Sequence, residues 1–554
     1  MSNPADVTFR WAAALIGGLA GAGVTRAVIS PGSRSTPLTL AALRHPAIAC
    51  RMVLDERVAG FHALGLAKAE QKPVVLIATS GSAIANWLPA VVEADMARVP
   101  LILLSADRPP ELQNCGANQT MDQIGLFSSH ARAFHQLPPA EEESGWLAPF
   151  AARAVAQSLG PLLGPVHINV PLREPLVPSA DIAAPKPGAP AAQTLTSAPA
   201  PTPAALDTLS QVIAQGRGAI VCGTEDLGPE SRAAIFDLAE RLQVPVFADA
   251  LSGLRFDPRA GATVLAHPDQ VSRNAPPADW LLRLGGAPIS RALSDWLKKA
   301  AGRPQIVVGS SSRIADPEGT ATHTLTADAT ALYRALNGPP APADWLEQVQ
   351  ALDAAATEAA ERACDEDTPF EGTVLRRLVR ALPAATPLVM ANSLPVRALD
   401  WLAGRPASGI RLFGSRGVSG IDGTLSAAFG IASAFGPTVA VIGDLAFQHD
   451  LGALALGADL PLAILVLDNS GGAIFDHLPQ TVLPEFQEGW LTPSTLDIAG
   501  AARSFGIEAE TVTSNDAAVA GILAALKRPA ASVIRLPIDR AASLARFRAF
   551  FAAR

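Results

Sequence analysis

Two short segments in the last third of this chain hold oxygen atoms suited to a metal and phosphate site. They are Gly443-Asp444 and Asp468-Asn469-Ser470-Gly471-Gly472. Asp444 closes the apolar run Thr438-Val439-Ala440-Val441-Ile442, and Asn469 closes Leu462-Ala463-Ile464-Leu465-Val466-Leu467. Such runs, separated by enough chain for one helix, predict consecutive buried strands. Both oxygens then reach the same carboxyl edge of a parallel sheet, where open α/β folds bind ligands. A carboxylate, an amide oxygen and a Gly-rich turn suit a hard divalent ion that also keeps water and phosphate oxygens. Alone, Asp444 reads as a helix N-cap and Asn469 as a turn residue. The pair, on consecutive strands, is what points to a site.

A second element is Asp55-Glu56-Arg57, between an apolar strand and a helix. It reads either as an acidic first turn favoured by the helix dipole or as a carboxyl group held at a strand end. If buried there, that group would have a raised pKa and could share a proton with a ligand nitrogen.

Positioning these residues requires alternating strands and helices, which the chain shows almost throughout and which predicts parallel α/β domains. In a first block, 1–180, strands are expected at 27–30, 48–54, 73–78, 100–105 and 166–170, and helices from about Ser35, over 57–70 and over 83–97. A Pro/Ala-rich linker, 181–204, contains Pro185, Pro187, Pro190, Pro199, Pro201 and Pro203; it cannot build a core. A central block, 205–342, has expected strands at 218–222, 244–248, 280–284 and 305–308. A connecting helix rich in Ala and Glu, 343–369, leads to a third block, 370–554, with strands at 387–391, 410–413, 438–442, 461–467 and 532–536. The fold class is therefore three doubly wound parallel-sheet α/β domains.

The bulk numbers agree. With 554 residues, 49% hydrophobic and 17% charged, the chain is globular and too long for one core. A net charge of −8 without any Lys/Arg block argues against nucleic acid as a partner. Cys50, Cys115, Cys222 and Cys364 lie far apart and read as isolated thiols of a reducing, cytoplasmic compartment. The apolar stretch from Trp11 to Val24 carries several glycines and runs into a strand, so it reads as an ordinary first helix; no run is long enough for a membrane span.

Glu56 in a first α/β block, with Gly443-Asp444 and Asn469 in a third, resembles the thiamine-diphosphate-dependent enzymes of the pyruvate decarboxylase and acetolactate synthase type. Further segments narrow the likeness: Ser30-Pro31-Gly32-Ser33-Arg34-Ser35-Thr36-Pro37, Asp107-Arg108-Pro109-Pro110-Glu111-Leu112, Gly116-Ala117-Asn118-Gln119, Asn392-Ser393-Leu394, Ser415-Arg416-Gly417 and Gly420-Ile421-Asp422-Gly423. They are similar to the carboligase branch that serves menaquinone biosynthesis. Leu445 stands where the wider family has Gly, and Asp468 where it has a second Asn; both departures suit the narrower branch or leave Asn469 its role.

The resemblance implies thiamine diphosphate with Mg²⁺ or Mn²⁺ as cofactors. Asp444, Asn469 and the Gly471 carbonyl would hold the metal. Gly443, Gly472, Ser393, Ile474 and Phe475 would line the cofactor, and Ile421 would keep it bent. Glu56 would hydrogen-bond the aminopyrimidine N1′ and promote loss of the C2 proton. The implied reaction decarboxylates 2-oxoglutarate and adds the remaining succinyl carbanion to isochorismate. Two dicarboxylate substrates call for planar guanidinium forks, with Arg34, Arg108, Arg291, Arg397 and Arg416 as candidates beside Ser33 and Gln119. In the central block this branch usually offers Lys-Arg, where the chain has Ser290-Arg291. A homodimer with active sites at the subunit interface, or a tetramer of two such dimers, is implied. The short Gly285-Gly286-Ala287 turn gives no ground to expect a nucleotide in the central block.

Overall fold

The computed structural model describes residues 3–180, 182, 192, 194–195, 199–225, 227–311 and 313–552. Its named strands form three sheets of six, five and six strands. The first comprises β1 (Arg26–Ile29), β2 (Ala49–Met52), β3 (Val74–Ala78), β4 (Leu101–Asp107), β5 (Ala133–Gln136) and β6 (Val166–Pro171), in the order β2-β1-β3-β4-β6-β5. The second comprises β7 (Gly218–Cys222), β8 (Val246–Ala248), β9 (Trp280–Leu284), β10 (Gln305–Gly309) and β11 (His323–Thr326), in the order β11-β10-β9-β7-β8. The third comprises β12 (Pro387–Met390), β13 (Arg411–Phe413), β14 (Thr438–Gly443), β15 (Leu462–Asp468), β16 (Glu508–Thr511) and β17 (Ser532–Pro537), in the order β13-β12-β14-β15-β17-β16.

Neighbouring strands run parallel, and β3, β4, β6 and β15 are buried along their whole length. Strands covered by helices on both faces read as mostly apolar runs; β4 and β6 also bury Ser105, His167 and Asn169, which hydrogen-bond through the Ser105 hydroxyl. The first and third sheets share one strand order. In each the order reverses beside the first strand, opening a crevice between β1 and β3 and another between β12 and β14.

Three strands not expected from the sequence, β5, β11 and β16, all lie at sheet edges. Their sequences, Ala-Phe-His-Gln, His-Thr-Leu-Thr and Glu-Ala-Glu-Thr, are half-exposed and polar, as edges that avoid further pairing should be. The helix expected over 83–97 is two helices, Ser82–Ala85 and Leu88–Met96. Pro89 lacks an N–H and its ring opposes a carbonyl one turn back, so it opens the second helix rather than continuing the first. Of the linker prolines, Pro185, Pro187 and Pro190 lie outside the described residues. Pro203 begins helix Pro203–Ile213, capped by the Thr202 hydroxyl, which accepts from Ala205 N–H.

The chain folds into two compact units. One comprises 1–196, 415–436 and 449–460; the other comprises 197–414, 437–448 and 461–554. In the first unit, helix Glu56–Glu70 packs against helix Thr424–Phe435 almost backbone to backbone. A Cβ on Gly65 would run into the Ala427 carbonyl oxygen, and one on Gly430 into that of His62. In the second unit, the fully buried Arg255 donates to Asp400 Oδ1 at 2.5 Å and to the Ala266 and Asp400 carbonyls, joining the central and third sheets' surroundings.

Candidate functional site

In the second unit, the register sets Gly443 beside Leu467, so Asp444 and Asp468-Asn469 leave β14 and β15 at one level. Asp444 is 3% exposed and opens helix Asp444–His449. Its Oδ2 accepts from the Gly471 N–H at 2.7 Å. Burial, then the neighbouring Asp468 carboxylate, pushes Asp444 up to about 7. Asp468 accepts from Arg535 Nε at 2.7 Å and from Ser470 N–H at 3.1 Å. That guanidinium is therefore committed to Asp468, and Asp444 is left short of positive charge.

The turn itself is sterically closed. Ser470 and Gly471 have φ of 60° and 132°. A Cβ on Gly471 would meet the Leu491 carbonyl oxygen, and one on Gly472 would lie 2.7 Å from that of Trp490. The Gly471 carbonyl accepts from Ala473 N–H at 3.0 Å and keeps a second lone pair. Asn469, 6% exposed, donates its amide to Glu371 Oε1 at 3.1 Å. One buried carboxylate, one amide oxygen and one backbone carbonyl fit a Mg²⁺-type ion completed by phosphate and water better than an all-protein cage. Indeed, no cluster of three or more His, Cys, Asp and Glu side chains suited to a metal occurs among the described residues. Ser393, with φ of 72°, precedes helix Leu394–Leu402 at the β12 end of the crevice without a side-chain hydrogen bond to it, and Arg397 Nη1 donates to the Ser393 carbonyl at 2.8 Å. Ile474 packs on the third sheet's core, and Phe475 N–H closes a turn on the Gly472 carbonyl.

In the first unit, the chain leaving β1, β3 and β4 brings Arg34, Arg108 and Gln119 into one group. Arg34 is buried; its Nη1 donates to the Leu172 carbonyl and its Nη2 to Glu174 Oε1, both at 2.9 Å. Arg34 Nε and Ser30 Oγ have no partner among the described residues, as expected where a ligand supplies one. Arg108 bridges Ser80 Oγ at 2.9 Å and the Asn118 carbonyl at 2.8 Å. Burial, then the like charge of Arg34, lowers Arg108. Ser80 in turn donates to the Gln119 carbonyl, and Gln119 Nε2 returns to the Ser80 carbonyl at 3.3 Å. Ser33 is exposed at the turn, its carbonyl holding Thr36.

Behind this group runs a relay the sequence did not reveal. Gly81 N–H donates to Gln123 Oε1, Gln123 to Asn169 Oδ1, and Asn169 to Asp107 Oδ2, while Asp107 Oδ1 accepts from Arg108 N–H at 2.7 Å. Burial raises Asp107.

Glu56 is the half-buried first residue of its helix, and Asp55 caps that helix by accepting from Arg57 N–H at 2.9 Å. Hydrogen bonding from the Arg57 side chain holds Asp55 below its ordinary value. Ile421 is half-buried just before helix Thr424–Phe435, its carbonyl accepting from Thr424 Oγ1 at 3.3 Å. Arg416 precedes Gly417 and Val418, whose N–H groups both donate to Glu93. Arg291 stands apart. Its side chain is 79% exposed and pairs with Asp295 one turn on. Ser290 is the buried N-cap of that helix and donates to Asp269 Oδ1 at 2.6 Å, a packing role that leaves no place for a lysine.

Three family descriptions match along the chain. They are the thiamine pyrophosphate enzyme N-terminal TPP binding domain over residues 9–126, the middle domain of thiamine pyrophosphate enzymes over 194–390 and the C-terminal TPP binding domain over 404–536. A 2-succinyl-5-enolpyruvyl-6-hydroxy-3-cyclohexene-1-carboxylate synthase from Dechloromonas aromatica is 41% identical over 93% of this chain and 96% of its own length. Synthases of the same name from Geobacillus kaustophilus and a Roseiflexus species are 41% and 37% identical, over 91% and 97% of this chain and 90% and 96% of theirs. The chain belongs to this synthase family of thiamine pyrophosphate enzymes.

A solved structure of a candidate thiamin diphosphate-dependent enzyme from Mycobacterium smegmatis superposes with a TM-score of 0.69. It is 22% identical over 94% of this chain and 98% of its own and so speaks to the fold. The synthase family accounts for the three parallel-sheet domains and for the shared order of the first and third. No helix among the described residues is long and apolar enough to cross a membrane.

Proposed function

We propose that this chain joins 2-oxoglutarate to isochorismate with loss of CO₂, forming 2-succinyl-5-enolpyruvyl-6-hydroxy-3-cyclohexene-1-carboxylate for menaquinone biosynthesis. The observation that carries the reading is the closed oxygen-donor turn at Asp444, Asn469 and Gly471 in one unit; the buried Arg34 and half-buried Arg108 of the other unit add the cationic groups that dicarboxylates need. Bound thiamine diphosphate supplies the carbanion-stabilising chemistry. Asp444, Asn469 and the Gly471 carbonyl hold Mg²⁺ or Mn²⁺ against its diphosphate. Gly443, Gly472, Ser393, Ile421, Ile474 and Phe475 shape its pocket. Glu56 holds a proton at the aminopyrimidine N1′. Arg34, Arg108, Arg397 and Arg416, with Ser33 and Gln119, orient substrate carboxylates. Arg291 reaches a substrate only by leaving Asp295, an exchange that an exposed pair allows at little cost.

The domains proposed are 1–180, 205–342 and 370–554, joined by 181–204 and 343–369. Glu56 and Asp444 belong to different compact units, and Leu54, next to the helix cap below Glu56, is 81% exposed. Both features support a homodimer, or a tetramer of two dimers, in which a second subunit completes each site. The four cysteines are all free, which supports a cytoplasmic enzyme. The test is product analysis with both substrates, thiamine diphosphate and Mg²⁺. The adduct and CO₂ are expected in equal amounts; CO₂ without adduct would sink the reading.

A further inference from the structure

The buried Glu371 lies far from β15 in sequence and has no part in the reading above. It opens helix Glu371–Ala381 and is 0% exposed. Its Oε1 accepts from Asn469 Nδ2 at 3.1 Å, and its Oε2 from Ser543 Oγ at 2.5 Å. Ser543 is itself 4% exposed, on helix Arg540–Ala552.

We propose that Glu371 is a positioning residue that fixes which end of the Asn469 amide faces the metal. The two ends of an asparagine amide have nearly the same shape, so packing alone does not choose between them. Only the oxygen can ligate a cation. Asn469 Nδ2 and Ser543 Oγ donate to its two oxygens, so Glu371 acts as an acceptor on both sides, draws the NH₂ end and turns Oδ1 the opposite way. The reversed amide would set its oxygen against Oε1 and strand two buried donors. Asn469 Oδ1 accordingly has no hydrogen-bond partner among the described residues. Ser543 holds the other carboxylate oxygen, so Glu371 cannot swing away. The arrangement matches the outer-sphere hydrogen bonds that orient metal ligands elsewhere. It also explains why the second side-chain ligand is an amide: an aspartate at 469 would put two carboxylates in contact.

The inference rests on the metal-binding reading of Asp444, Asn469 and Gly471. Its test is binding of Mn²⁺ by the full chain with thiamine diphosphate, followed by the electron paramagnetic resonance signal of free Mn²⁺, with no substrate present. Wild-type protein binds Mn²⁺; if it does not, the metal reading falls and this proposal with it. With wild-type binding established, Glu371→Met is expected to weaken Mn²⁺ affinity by about tenfold or more. Glu371→Gln keeps an acceptor oxygen and is expected to stay within about threefold of wild type. Equal affinity in wild type and Glu371→Met overturns the proposal, as does equal loss in the Met and Gln variants. Should Glu371→Met not fold, Ser543→Ala takes its place. Weaker Mn²⁺ binding at an unchanged thermal midpoint supports the positioning role, and unchanged affinity overturns it.

Discussion

Glu93 clasps the backbone at Gly417. Its two carboxylate oxygens accept from the Gly417 and Val418 N–H groups at 2.8 and 2.7 Å, and the residue is 2% exposed. A buried carboxylate on helix Leu88–Met96 therefore sets the path of a loop more than three hundred residues later, one residue beyond Arg416. Hydrogen bonds to a charged group contribute about 1.5–3 kcal/mol each, so the clasp outweighs ordinary loop packing. Glu93→Ala should free the loop and raise KM for a dicarboxylate substrate by about tenfold, with a smaller change for Glu93→Gln, which keeps one acceptor. Separate KM values for the two substrates check this; a Glu93→Ala enzyme with both unchanged shows that Arg416 needs no such support.

Glu56→Gln removes the acid but keeps the shape of a half-buried side chain. Thiamine diphosphate and Mg²⁺ should still bind, as seen by calorimetry, while exchange of the cofactor C2 proton slows by about a hundredfold or more. Exchange at the wild-type rate would remove Glu56 from proton transfer.

Arg108 spans Ser80 Oγ and the Asn118 carbonyl with two different nitrogens. A lysine offers a single nitrogen and cannot hold both while facing a carboxylate. Arg108→Lys should raise KM for one substrate by about ten- to a hundredfold, or roughly 1.5–3 kcal/mol. Equal KM values would place the substrate carboxylates elsewhere.

Legibility in the sequence followed the physics of exposure. Asp444 and Asn469 could be found because each ends an apolar run, and the position of a polar residue at such an end is itself a signal. Glu93 and Glu371 gave none. A glutamate within or at the start of a helix ordinarily faces water, and the partners that bury these two lie far along the chain. Likewise β3, the first four residues of β4 and β15 up to Asp468 were visible as apolar runs, whereas β5, β11 and β16 owe their strand geometry to one neighbour and keep polar sequences. Ser290 shows the converse: a position compared with a lysine contact is occupied by an N-cap, whose reason is local.

Gly471→Ala should abolish metal binding while leaving the fold. The position has φ of 132°, and its Cβ would collide with the Leu491 carbonyl oxygen. Relief requires moving the turn that also gives its N–H to Asp444. Strain at such a site costs about 1–3 kcal/mol, which a chain of this size tolerates, but a ligand set displaced by about an ångström loses its octahedron. Mn²⁺ titration together with a circular dichroism spectrum separates the two effects; a folded variant with wild-type Mn²⁺ affinity would show that the turn is not part of the site.

The acid limb of stability should carry the signature of His62. It is fully buried on helix Glu56–Glu70, where burial, reinforced by Arg51, pushes it down to about 3. Its Nδ1 has no partner among the described residues, and its Nε2 lies 3.4 Å from Ser433 Oγ on the facing helix. Folded protein thus keeps His62 neutral, while the unfolded chain takes up a proton below the ordinary histidine value of 6.5. The unfolded state binds more protons in that window, so the stabilisation is complete above pH 6.5 and is lost as pH falls towards 3, by about 1.4 kcal/mol per pH unit. His167 and His267, also pushed down to about 3 by burial, add slopes of the same sign. Only a comparison with His62→Gln isolates one of them. Between pH 6.5 and pH 5 the wild type should lose about 2 kcal/mol more than the variant, whatever the variant's absolute stability. Urea unfolding at several pH values measures the two slopes, and parallel curves would mean that His62 takes up a proton without unfolding the interface between its helix and Thr424–Phe435.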